Sequence, residues 1–397
     1  MGTILVTNAQ QRKSLSFTRS LGEKGYDIFC CDTTACNPAR FSKYCKGFFK
    51  QSPKESLLTF LTELVQKKSV DVLAPMDEDC MEVVLHNKEM FSKYCSFALP
   101  SIESYEAALY KDNAVRLAQK AGVICPKTVI TSKLYNESID EATFRRLLEQ
   151  KAGEIGYPVV IKPVRSSGSR GIAIVDSPEL FYDTFVKVHE QYPFPLLQSF
   201  IKAKDKYDVC LIYNKKGECK AGFVQKEIRN YPEEIGPSTV QQSFHRPDIL
   251  QEALKIMNFI PWTGVVELEF LVDDEEKNIV FMEINPRFWA SVETAVLSGV
   301  DFPWLYTEVA RTGDCPLVEE YVVGKTVRWF WPGDLLYYLT AKNKKNQIPG
   351  FFAGKRKGVT DDIYRSGDPL PVMGVWLQSI YTIVRKERRD FVLCRTP

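Results

Sequence analysis

Two acidic strands carry the most specific chemistry in this 397-residue chain. Val265-Val266-Glu267-Leu268-Glu269-Phe270-Leu271-Val272 is followed by a polar turn over 273–278. Ile279-Val280-Phe281-Met282-Glu283-Ile284-Asn285-Pro286-Arg287 comes next. The strand period of two puts Glu267 and Glu269 on one face, and Glu283 and Asn285 on one face of the partner. Met282, Ile284 and Pro286 mark the opposite face as packed. Carboxylates brought together in a half-buried hairpin repel unless they are protonated or neutralised. A hard cation resolves that conflict. Oxygen-only ligands suit Mg²⁺, which takes one or two carboxylates and completes its shell with substrate phosphates. Arg287, two residues past Asn285, then reaches toward a transferring phosphoryl group.

A second constellation lies about a hundred residues upstream. Tyr157-Pro158-Val159-Val160-Ile161-Lys162-Pro163 places an amine at the end of an apolar strand, which aims it into a cleft. Ser166-Ser167-Gly168-Ser169-Arg170-Gly171 follows, and then the strand-like Ile172–Val175. Glycines in such a hairpin permit positive φ and let backbone N–H groups approach polyphosphate. No Ser-His-Asp or Cys-His arrangement stands out, and His245 in Ser243-Phe244-His245-Arg246 reads as a bystander.

Taken together, Lys162, the Gly/Ser loop, Glu269 and Glu283-x-Asn285-Pro286-Arg287 resemble the ATP-grasp ligases. Enzymes of this kind join a carboxylate to an amine through an acyl phosphate made from ATP. The resemblance covers about 1–325 and includes Tyr110-Lys111-Asp112. It implies ATP and Mg²⁺ as cofactors, with Mn²⁺ as a possible substitute. Lys111 and Lys162 would contact ATP phosphates under the loop formed by Ser166, Ser167, Gly168, Ser169 and Gly171. Gln198-Ser199-Phe200-Ile201 would form the adenine hinge, with Ser199 where the family commonly carries Glu. Asp208 would sit near the ribose or its neighbouring phosphates. Glu269, Glu283 and Asn285 would hold the metal, and Arg287 would stabilise the transferred phosphoryl. Arg229 and Ser238, in the segment 226–239, are the candidates for the acceptor pocket. A carboxylating or carbamoyl-phosphate-forming enzyme using the same motifs, and a nucleotide sensor without turnover, are the alternatives.

These residues need particular elements to hold them. Over 1–100, strand signals at Ile4-Leu5-Val6, 27–31 and 70–74 alternate with helices at 15–25 and 56–67, the rhythm of a parallel α/β sheet. Thr7-Asn8-Ala9-Gln10 follows the first strand, so the usual dinucleotide glycine fingerprint is absent. Helices are expected from Ser101, over 111–121 and, behind a capping box beginning at Ser138, up to Ala152. Strands dominate 157–290, interrupted by a helix near 248–258. The expected organisation is an α/β and α+β chain. A parallel-sheet domain at 1–100 precedes an ATP-grasp domain at 101–325, made of a linker and lid over 101–197 and a large subdomain over 198–325. A basic, aromatic extension over 326–397 ends the chain.

Composition bounds the rest. Apolar residues are 45% and charged residues 26%, ordinary globular values that exclude a disordered or collagenous chain. The net charge of +2 argues against a nucleic-acid partner. Eleven scattered cysteines without a C-x-x-C pair, and no signal-peptide pattern at the start, read as a reduced cytoplasmic protein. Small-molecule substrates and a homodimer are expected. The charge is uneven: 325–397 holds 14 Lys and Arg against 6 Asp and Glu, a net of +8, whereas the other 324 residues hold 38 against 44. An apolar helix over 372–384 followed by Arg385-Lys386-Glu387-Arg388-Arg389 fits packing on the catalytic domain. It also fits peripheral contact with a membrane or an anionic glycan.

Overall fold

The computed structural model describes residues 2–233, 236–275, 277–341, 348–354 and 358–384. Four short strands open the chain: β1 (Thr3–Val6), β2 (Asp27–Asp32), β3 (Cys45–Lys50) and β4 (Val72–Ala74). They pair in parallel in the order β3-β2-β1-β4. The apolar runs of β1, β2 and β4 are buried between helices, as parallel sheets require, whereas β3 at the edge is only partly covered. The helix Arg12–Glu23 covers one face and Leu57–Lys67 and Glu78–His86 the other.

A small antiparallel sheet follows, made of β5 (Thr128–Ile130), β6 (Val159–Lys162), β7 (Ala173–Val175) and β8 (Leu196–Ser199), in the order β5-β8-β6-β7. Helices Glu141–Ile155 and Pro178–Gln191 pack on it around Phe181 and Phe185. The first of these starts two residues later than its sequence signature suggests. Asp140, not Ser138, is the cap and accepts from the Thr143 N–H at 2.7 Å. Ser138 instead closes on Asn136.

The third sheet carries the rest: β9 (Ala203–Tyr213), β10 (Cys219–Asn230), β11 (Ser238–Ser243), β12 (Gly264–Asp273), β13 (Ile279–Asn285), β14 (Thr326–Arg328) and β15 (Val359–Asp361). Its order is β13-β12-β9-β10-β11-β14-β15. The 326–397 segment is therefore no separate extension where it is described, because β14 and β15 lengthen the central sheet. Polar links hold it to the first domain as well. Arg19, fully buried, donates to Asp368 Oδ2 at 2.9 Å and to the Ile363 carbonyl at 2.7 Å. Arg12 pairs with Asp362 at 2.5 Å.

One apolar core joins the first and third sheets. Ile4, Phe17 and Ala74 pack with Cys210, Phe223, Phe288, Trp289 and Tyr306. The Tyr306 hydroxyl donates to the Leu73 carbonyl at 3.1 Å, locking β4 to the helix Phe302–Thr312. The carboxyl ends of the parallel strands consequently face the acidic hairpin, the position at which open α/β sheets place ligands.

Candidate active site

The hairpin forms in the expected register. Glu267 pairs with Asn285 and Glu269 with Glu283, all between β12 and β13. A bulge follows, so that the next pair is Phe270 with Phe281. The bulge changes the fate of Met282. It lines a pocket, and its carbonyl accepts from Lys162 Nζ at 3.3 Å. Ile284 is buried on the opposite face as expected.

Two lysines converge on Glu283. Lys111 Nζ, on the helix Lys111–Lys120, lies 3.2 Å from Glu283 Oε2, and Lys162 Nζ, at the end of β6, lies 3.5 Å away. Burial alone would raise the Glu283 pKa, but these two ammonium groups hold it far below the usual carboxylate range. Lys162 in turn has its pKa lowered by burial, against the pull of Glu283. Glu283 is thus an ionised carboxylate in a crowded, partly desolvated place.

Glu269 has another partner. Lys206 Nζ sits 2.6 Å from Glu269 Oε2 and 3.3 Å from Glu227 Oε2. Sequence reading passed over both Lys206 and Glu227. Strand alternation on β9 carries the signal: Lys206 and Asp208 share a face, and they pair across with Glu227 and Gln225. Burial, then the charge of Glu269, pushes Glu267 up to about 8. Asn285 Nδ2 donates to Glu269 Oε1 at 3.0 Å, which leaves its carbonyl Oδ1 facing Arg287 Nη2 at 3.1 Å. The donor set around Glu269, Glu283 and Asn285 is all oxygen and fits a hard cation. Among the described residues no group of three or more His, Cys, Asp or Glu side chains is placed to hold a metal ion by itself.

A cleft of about 300 Å³ runs from this cluster to the segment 198–201. Lys162, Glu269 and Glu283 line one end, and Gln198, Ser199, Phe200 and Ile201 the other. Val160, Ile172 and Ile174 make an apolar side wall, suited to the flat face of a base. Ser199 Oγ accepts from the Lys127 N–H at 3.0 Å, so its side chain is spent within the fold. The Gly/Ser loop arches beside this cleft with Gly168, Ser169 and Gly171 at positive φ of 64°, 61° and 71°. Ser169 lines the cleft, and Lys111 Nζ donates to the Ser166 carbonyl at 3.0 Å. Arg165 ties the loop to Glu82 of the first domain.

Three expected residues sit differently. Asp208 does not line the cleft. The β9 register sets it between Glu269 and Gln225, where it is buried, accepts from Gln225 Nε2 at 2.8 Å, and is pushed toward the neutral form by burial. Arg229 is buried and committed to Asp334, whose Oδ1 lies 2.8 Å from its Nε, and to the Pro349 carbonyl at 2.6 Å. Its charge is spent within the fold, on Asp334 and the Pro349 carbonyl. Ser238 is also buried, and its hydroxyl donates to Gln241 at 2.7 Å. Asp334 is fully buried between Arg229 and Arg328. Asp334→Ala strands two desolvated guanidinium groups, so it is expected to cost about 3–5 kcal/mol. The denaturant midpoint of the full chain measures this, and an unchanged midpoint would show the pair to be dispensable.

The wall facing Arg287 comes from the first domain. Arg287 Nε lies 3.4 Å from Glu78 Oε1 and 3.7 Å from Asp77 Oδ1. Lys13, buried, donates to the Phe288 carbonyl at 3.0 Å and approaches Asp77 at 3.4 Å; burial lowers its pKa to about 8. Gln11 Nε2 also donates to Asp77. These residues follow β1 and β4, and strand ends of a parallel sheet were the signal that could have found them.

A parallel-sheet domain, a small lid sheet and a large antiparallel sheet around this cleft define an ATP-grasp fold. Solved structures share it at low identity. The biotin carboxylase of Campylobacter jejuni matches with a TM-score of 0.67 and 19% identity, covering 82% of this chain and 74% of that one. N5-carboxyaminoimidazole synthetase of Staphylococcus aureus matches with a TM-score of 0.62 and 16% identity, covering 82% and 80%. The chain belongs to the family described as carbamoyl-phosphate synthase L chain, ATP binding domain, whose model matches residues 110–312. Among curated relatives, a biotin carboxylase of Nostoc sp. is 27% identical over 256 residues, 60% of this chain and 55% of that protein. The carbamoyl phosphate synthase large chain of Thermotoga neapolitana is 24% identical over 343 residues, 74% of this chain and 29% of that protein. The chain thus spans from under a third to about half the length of these two relatives.

Proposed function

We propose that the protein is an ATP- and Mg²⁺-dependent ligase that activates a carboxylate as an acyl phosphate and couples it to an amine, releasing ADP and phosphate. The observation that supports it most is the convergence of Lys111 and Lys162 on Glu283, at the end of a cleft whose other end is the 198–201 hinge. In this reading the cleft takes ATP with its base at the hinge and its phosphates at the lysines. Glu269, Glu283 and Asn285 would hold the metal, which would supply charge neutralisation of the phosphates. Lys206, between Glu269 and Glu227, holds the Glu269 carboxylate in place. Lys111 and Lys162 carry charge to the phosphate oxygens, and Arg287 meets the phosphoryl group as it moves to the carboxylate. Such transfer needs positioned charge rather than an enzyme nucleophile. The Gly/Ser loop excludes water, which would hydrolyse the mixed anhydride. Gln11, Lys13 and Asp77, which stand against Arg287, would bound the acceptor side.

The names of the relatives favour a second reading, in which the activated carboxylate is bicarbonate. The test is ATP turnover across a matrix of carboxylates and amines, with labelled bicarbonate as one member. ADP and phosphate release dependent on an organic carboxylate and an amine supports ligation. Label incorporated into an acid-stable product supports the carboxylating reading. AMP and pyrophosphate would contradict both.

A further inference from the structure

The far edge of the central sheet carries a second cavity. It measures about 250 Å³ and lies between β15, the segment after β14 and the helix Pro371–Val384. β15 is five strand spacings from β12, on the order of 24 Å, so this cavity is separate from the cleft beside the acidic hairpin. The helix itself carries no charged residue. Arg385-Lys386-Glu387-Arg388-Arg389, which follows it, lies outside the described residues. No helix among the described residues is long and apolar enough to cross a membrane. The cavity walls are aromatic: Phe330, Trp331, Tyr364 and Trp376 line it, with the buried Val375. Trp331 is held in place by its Nε1, which donates to Ser379 Oγ at 3.2 Å. The Trp331 and Trp376 centroids are 5.9 Å apart with planes at 43°, so the two rings form an angled wall and neither covers the other's face. Tyr364 and Trp376 are 55% and 57% exposed.

Among the described residues the lining holds one charged side chain, Asp361. Its Oδ1 accepts from the backbone N–H groups of Ile363 at 2.9 Å and Tyr364 at 2.6 Å, which fixes the carboxylate at the wall. Arg328, its neighbour across the β14–β15 pair, turns its guanidinium to the Phe351 carbonyl and to Asp334 instead. Burial pushes the Asp361 pKa up, and the two N–H groups and the more distant Arg328 offset that only in part. An aromatic wall with a single carboxylate selects a cation, because ring faces carry negative potential. It also selects among cations. A primary ammonium or a guanidinium brings three or more N–H groups, each needing an acceptor once water is gone, and Asp361 has one oxygen beyond the one its backbone partners hold. A quaternary ammonium has no N–H and spreads its charge over its methyl groups, so ring faces and one carboxylate satisfy it. A neutral apolar molecule would bury Asp361 further with nothing in return.

We propose that the cavity at Asp361 is a second ligand site, specific for a small quaternary ammonium ion held against Trp331, Trp376 and Tyr364. The test is titration calorimetry of the full chain with choline and with 3,3-dimethylbutan-1-ol, its neutral carbon analogue. Choline is expected to bind saturably at millimolar concentration or below, and the alcohol at least about tenfold more weakly. Asp361→Asn keeps an oxygen for the Ile363 and Tyr364 N–H groups, so the fold should survive, which circular dichroism checks. This variant should weaken choline at least about tenfold and leave the alcohol unchanged. Trp376→Leu keeps an apolar wall without a ring face and should weaken choline by about three- to tenfold. Trp376 is exposed, so this second variant decides the matter if Asp361→Asn fails to fold. Equal affinity for the two probes, no saturable binding of choline, or undiminished choline binding in either folded variant would overturn the proposal.

Discussion

Glu283→Gln is expected to lower Mg²⁺-dependent ADP formation by at least about a thousandfold, the loss that follows when several kcal/mol of transition-state charge stabilisation goes. The side chain keeps its shape, so the fold should survive. Its removed charge does three things at once. It takes a carboxylate from the metal, it leaves Lys111 and Lys162 facing each other without their shared partner at 3.2 and 3.5 Å, and it relieves the repulsion felt by Glu269. ATP affinity without Mg²⁺ should therefore change little or tighten, because the nucleotide's phosphates replace Glu283 as the nearest anions of the two lysines. Fluorescence titration with and without Mg²⁺ separates the two effects. Near-normal turnover in this variant would remove Glu283 from the metal site.

Arg287→Ala should reduce turnover by about a hundred- to a thousandfold, as expected when a charge aimed at a transferring group is deleted. Arg287 also touches Asn285 Oδ1 at 3.1 Å and Glu78 at 3.4 Å, so a purely positional role is the competing explanation. Glu78→Gln distinguishes them. It loosens the arginine without removing it, and its effect should stay below about tenfold. Arg287→Lys should recover only part of the loss, because an ammonium lacks the planar fork that can hold two oxygens. Equal, large losses in Glu78→Gln and Arg287→Ala would recast Arg287 as a strut between the first domain and the hairpin.

The hairpin was legible because its signal is local. Glu267, Glu269, Glu283 and Asn285 lie within nineteen residues, and strand alternation alone decides which face they share. The lysine at the end of β6 was legible for the same reason. What escaped depends on contacts far apart in sequence. Arg229 meets Asp334 across 105 residues, and Arg12 meets Asp362 across 350. No periodicity within either segment signals such a partner, so Arg229 read as a free cation for substrate. The 326–397 segment read as an appendage because β14 and β15 are three residues each and show no alternation. Only the edge of β11 gives them a place. Asp208 shows a subtler limit. Its strand and face were readable, but which neighbours lie across it depends on the order β12-β9-β10, which the sequence of β9 does not encode.

Acyl phosphate formation is tested most directly by following oxygen. Carboxylate substrates found in the turnover matrix, labelled with ¹⁸O in the carboxyl group, are incubated with the full chain, ATP, Mg²⁺ and the amine. Transfer of one ¹⁸O from the carboxylate to the released inorganic phosphate, with ADP as the nucleotide product, is the expected result. Label appearing in AMP, or phosphate released without ¹⁸O, would contradict it.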